Sequence, residues 1–127
     1  MLNDADSGGS LGWAYYPGAT YQYSTVNNEV YDLDDDPYAV SPGSYYYLTF
    51  THELGHALGM GHPHDGDNQF PGVPYNGTSN GGDNNLNASP WSVLTYNDAT
   101  ATNGLSPGWS SDNGYLENLG AFDIATA

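Results

Sequence analysis

The sequence predicts an α+β fold: a small sheet, one long helix over 45–58, and a loop-rich lower part. Three observations predict it. A 14-residue stretch carries helical spacing behind a capping signal. Two short runs of aromatic and branched residues end in turn-forming residues. Residues 59–90 are dominated by Gly, Asn, Asp and Pro. The chain has 127 residues, the size of one small domain, so 1–127 is read as a single unit.

Residues 1–10 are small and polar and read as a frayed start. Residues 11–16 (Leu-Gly-Trp-Ala-Tyr-Tyr) form a strand pattern that Pro17 and Gly18 close. A second strand is expected over 29–33, broken by Asp34, Asp35, Asp36 and Pro37. That acidic triplet reads as a solvated turn before it reads as a cation site. Ser41 or Ser44 can cap the helix that follows. With about 100° per residue and His52 at zero, His56 lies near 40°, while Tyr47, Phe50, Thr51, Leu54 and Leu58 lie between roughly 160° and 260°. The expected helix therefore has a chemical side and an opposite, core-facing apolar side. Pro90 to Tyr96 is a compact apolar island. Residues 116–127 read as the first turns of a second helix, burying Leu119, Phe122 and Ile124.

Charge excludes several functions. The chain has 15 acidic residues and no Lys or Arg, for a net charge of −15. Phosphate recognition draws on the missing cations, so neither nucleic acid nor an anionic membrane is an expected partner. With no Cys there is neither a disulfide framework nor a thiolate metal site. No apolar run is long enough to span a bilayer. The N-terminal residues lack the basic and apolar regions of a secretory signal. Carboxylates must be solvated, hydrogen-bonded or neutralised by a cation, which makes Ca²⁺ a candidate ion for the Asp/Asn/Gly loops.

The strongest motif is His52-Glu53-Leu54-Gly55-His56-Ala57-Leu58-Gly59-Met60-Gly61-His62. In H-E-x-x-H, two imidazoles one helical turn apart can hold one Zn²⁺, with a carboxylate beside them. Glu53 lies about 100° round from His52, better placed to act as a general base on water than as a ligand. His62 is six residues beyond His56, about 9 Å along a straight helix, so the chain must turn before it can share the metal. Gly59 allows that turn, because glycine accepts a left-handed conformation without steric cost. Three neutral ligands leave the full charge on the ion, which brings the pKa of its water towards about 7. A helix with merely solvated histidines would leave Gly59 and His62 unexplained. His64, beside Asp65, reads as a loop residue rather than a fourth ligand.

H-E-x-x-H-x-x-G-x-x-H is the metzincin zinc signature. Thr49-Phe50-Thr51 before it and Pro63 after it resemble the serralysin branch of secreted bacterial zinc endopeptidases. Ser92-Val93-Leu94-Thr95-Tyr96 is similar to that branch's Met-turn. Gly120 to Ala125 is similar to the start of its following helix, and Trp13 to Gly18 to its substrate-side edge strand. The resemblance spans roughly residues 11–127 and is sharpest over 49–63. It implies a metzincin-like catalytic domain with His52, His56 and His62 as zinc ligands and Glu53 as general base. It also implies that Tyr96 binds zinc at rest and swings to stabilise the oxyanion.

Three departures stand out. Leu94 occupies the Met-turn position; a swap of near-equal volume usually costs under about 1.5 kcal/mol. The family's earlier strands and helix, and its calcium-binding repeats and C-terminal secretion signal, are not in these 127 residues. The expected function is a zinc endopeptidase acting on extended peptides, secreted by analogy, with an acidic surface that disfavours acidic substrates. The rival readings are a zinc-binding module without catalysis, and a fragment whose site forms only with a missing segment.

Overall fold

A computed structural model of the protein describes residues 2–3, 10–21, 23–27, 40–66, 69–97 and 114–126. The strand expected over 29–33 and the Asp34–Asp36 triplet lie outside the described residues. The architecture is a small α+β arrangement, with three short strands and one long helix.

Strands β1 (Leu2–Asn3), β2 (Gly12–Ala14) and β3 (Ser24–Asn27) form a sheet in the order β1-β3-β2. β1 runs parallel to β3, pairing Leu2 with Val26, and β2 runs antiparallel to it, pairing Trp13 with Thr25. Asn27 N–H to Leu11 C=O (2.9 Å) and Tyr15 N–H to Tyr23 C=O (3.2 Å) extend the β2–β3 ladder over most of the predicted 11–16. The chain then turns at Pro17-Gly18, where Gly18 has φ +91°. Among the described residues β2 is paired on one side only, leaving its other edge free. β3 was not expected from the sequence: Ser-Thr-Val-Asn is too short and polar to register as a strand by periodicity alone.

Helix α1 (Tyr45–Ala57) matches the prediction to within a residue. Ser44 is its N-cap, with extended backbone and a hydroxyl accepting from Tyr47 N–H at 3.0 Å. At the other end Leu58 is the C-cap and Gly59 takes φ +98°. Gly59 N–H reaches His56 C=O (2.9 Å) and Met60 N–H reaches Gly55 C=O (3.1 Å), the paired bonds of a Schellman turn.

The expected core side of α1 is corrected. Leu48, Thr49, Glu53, Gly55 and His56 are the buried residues, whereas Leu54 and Leu58 are 52% and 58% exposed. The helix packs its chemical side against β2, β3 and the 92–95 segment, so its apolar stripe faces outward. A polar face can be buried when partners satisfy it, and main-chain carbonyls supply those partners for His52 and His56. The core proper is Leu48, Met60, Val93 and Leu94, with Tyr45, Tyr115, Leu116 and Leu119 packed around it.

Residues 59–66 and 69–90 are held by local turns, including Asn76, Asn84 and Asn85 at positive φ. Asn87 is fully buried and bonds Asn80 C=O (2.7 Å) and Thr95 Oγ1 (2.5 Å), tying this loop to the 92–95 segment. The second helix, α2 (Ala121–Thr126), starts five residues later than predicted. Ile124 is 65% exposed rather than buried, and Asp123 occupies the interior in its place at 2% exposure. The reason is hydrogen bonding: the Asp123 carboxylate accepts from Ser92 Oγ (2.6 Å), Val93 N–H (2.8 Å) and Gly120 N–H (2.7 Å).

Candidate metal centre

Helix α1 places His52 and His56 one turn apart, and the Schellman turn redirects the chain so that His62 folds back to them. The three Nε2 atoms lie 3.1 Å (His52–His56), 3.2 Å (His52–His62) and 3.0 Å (His56–His62) apart. Every Nδ1 is engaged elsewhere. His52 Nδ1–H donates to Val93 C=O (2.8 Å), His56 Nδ1–H to Met60 C=O (2.8 Å), and His62 Nδ1–H to the Asp65 carboxylate. A carbonyl or carboxylate only accepts, so each Nδ1 carries the proton and each Nε2 presents a lone pair. Three lone pairs facing one another cannot hydrogen-bond; they form a chelating triangle. Its edges approach the ~3.3 Å between nitrogens that zinc bonds of about 2.0–2.1 Å give in tetrahedral geometry. The donor set therefore fits a divalent zinc ion.

Burial tunes two of these groups for that task. Desolvation lowers His52 to about 4 against the partial opposition of the Val93 carbonyl bond. His62 is lowered too, again chiefly by burial and against the Asp65 hydrogen bond. The neutral, ligating imidazoles are thus favoured. Tyr96 reaches the same point: its hydroxyl lies 3.0 Å from His62 Nε2 on a ring that is 59% exposed. Its pKa is raised, by burial first and then by Asp65 and Glu53, so the phenol keeps its proton as a donor.

Glu53 sits beneath β2. A Cβ on Gly12 would come within 2.9 Å of Glu53 Cγ and 2.8 Å of Thr25 C=O, so only glycine lets the strand pass there. Glu53 is 6% exposed and its Oε2 has no hydrogen-bond partner among the described residues. Burial raises its pKa to about 7. A cavity of about 500 Å³ adjoins His52, Glu53 and Tyr96 and is walled by Leu11, Leu48, Val93 and the rings of Tyr45 and Tyr115.

Leu94 is buried against helix α1. It is 3% exposed, and a Cβ on Gly55 would meet its Cδ2 at 3.0 Å, which explains a glycine inside the helix. His64 is in a loop, as expected, yet it is 3% exposed and stacks on His62 at 4.9 Å and 13°. The supporting groups that sequence reasoning missed are Asp65, Asp123 and the Val93 and Met60 carbonyls. The His62-x-x-Asp65 spacing was a usable signal for the first; the carbonyls leave none.

Among the described residues, the groups of three potential metal ligands are His52/His56/His62 and His62/His64/Asp65. Neither is the all-oxygen set that calcium takes, so calcium is not supported. No helix among the described residues is long and apolar enough to cross a membrane.

The three-imidazole donor set with its adjoining acid is compatible with a zinc-binding, protease-like module. Over 57 residues, 43% of this chain, the sequence is 42% identical to Serralysin C of Dickeya chrysanthemi. The matched stretch spans 11% of that protein's length. No protein-family model matches the chain.

Proposed function

We propose that the chain carries the active site of a zinc endopeptidase of the serralysin-like metzincin type, as part of a secreted enzyme. The observation that carries this is the convergence of three unprotonated Nε2 atoms, each fixed through its Nδ1, near a buried Glu53 whose Oε2 has no hydrogen-bond partner among the described residues. The partial identity to a serralysin supports it.

Zinc held by His52, His56 and His62 would polarise a peptide carbonyl and acidify water near it. Glu53, with its pKa near 7, is matched to take a proton from that water and return it to the leaving amine. Tyr96 would donate a hydrogen bond to the carbonyl oxygen as negative charge builds there; its hydroxyl lies 3.0 Å from His62 Nε2, and with no Lys or Arg in the chain a phenol is an available donor. The edge of β2 that is unpaired among the described residues would offer main-chain groups to an extended substrate, which favours peptides over small esters.

The test is hydrolysis of casein by zinc-loaded protein, with Glu53→Gln as the comparison. The proposal expects Glu53→Gln to keep its zinc and lose activity by about 10²–10⁴-fold. Wild-type protein that holds one zinc and cleaves nothing would be a binding module instead.

A further inference from the structure

His64 is absorbed by none of the roles above, and its surroundings are unusual. It is a buried imidazole whose Nδ1 has no hydrogen-bond partner among the described residues. Its ring lies flat on His62 (4.9 Å, 13°) and 4.8 Å from the ring of Tyr96. Its Nε2 is 3.8 Å from Asp65 Oδ1, while Asp65 Oδ2 accepts from His62 Nδ1. One ligand atom from each of His62, His64 and Asp65 falls within 4.8 Å of the others. The Asp65 side chain is 42% exposed, so an ion can reach this cluster from solvent.

We infer that His64 and Asp65 form a second, weaker site for a divalent transition metal, sharing His62 with the three-imidazole centre. Two nitrogens and one carboxylate suit Zn²⁺ or Cu²⁺ better than Ca²⁺ or Mg²⁺, which take oxygen ligands. Nε2 of His64 and a carboxylate oxygen of Asp65 are the first ligands. His62 lies within reach as the third ligand, its Nδ1 already on the Asp65 carboxylate. The second site should be the weaker because occupying it breaks the His62–Asp65 hydrogen bond. The inference rests on the proposed zinc centre only through His62.

The test is Zn²⁺ titration of metal-free full chain by equilibrium dialysis, with excess Mg²⁺ present to mask surface carboxylates. Wild-type protein is expected to take two equivalents, the second at least tenfold weaker. His64→Asn should take one, and Asp65→Asn, altered at a half-exposed side chain, should also lose the second. His56→Ala should lose the tight equivalent and keep the weak one. Saturation of wild-type at one equivalent, or two retained in both His64→Asn and Asp65→Asn, overturns the second site and leaves the first intact. No uptake at all overturns both.

Discussion

The first two histidines and the third are fixed by different means. His52 and His56 stand on a helix and donate to main-chain carbonyls of Val93 and Met60. His62 stands on a loop and donates to a half-exposed carboxylate, Asp65. A carbonyl support is built into the fold and survives substitution of its own side chain. A carboxylate support adds charge and can be removed by one mutation. Two ligands are therefore set by backbone architecture, and one is tunable.

The largest expected effect breaks the rigid half. His56→Ala removes a ligand outright and should abolish tight zinc binding, measured as metal content after dialysis. Removing the tunable support should cost less. Asp65→Asn is expected to weaken the tight site by about 10–100-fold, the usual effect of losing a partner that orients a metal-bound histidine, read by competition with a chelator. An equal loss in the two variants would erase the distinction between the halves. Gly59→Ala probes the backbone that carries the Met60 carbonyl. At φ +98° alanine should cost roughly 1–2 kcal/mol of stability, seen as a lower Tm of the metal-free protein.

A further expected effect is a pH dependence. Glu53 has its pKa raised to about 7, so its contribution to stability is full below its ordinary pKa of 4.5 and is lost as pH rises through 7. His52 is lowered to about 4, so its contribution is full above 6.5 and is lost as pH falls through 4. Metal-free Glu53→Gln, which cannot ionise, should therefore melt several degrees above wild-type at pH 8, with the gap closing by pH 4.5. A constant gap in thermal scans would contradict the burial of that carboxylate.

Local features were legible in the sequence. The Ser44 cap, the turn at Gly59 and the i, i+4 histidines follow from rules that reach only a few residues. The orientation of α1 was not legible, because its polar face is buried by carbonyls at Val93 and Met60, which periodicity does not see. Leu54 and Leu58 scored as core for the same reason and lie exposed. Ile124 yielded its place to Asp123 because three long-range donors hold that carboxylate. Tyr96 was legible only through resemblance, as one phenol among 12.

X-ray absorption of the protein loaded with one equivalent of zinc addresses the centre most directly. The expected spectrum shows three imidazole nitrogens at about 2.0–2.1 Å, with one imidazole lost in His62→Ala. A shell dominated by carboxylate oxygen, unchanged in that variant, would contradict the account.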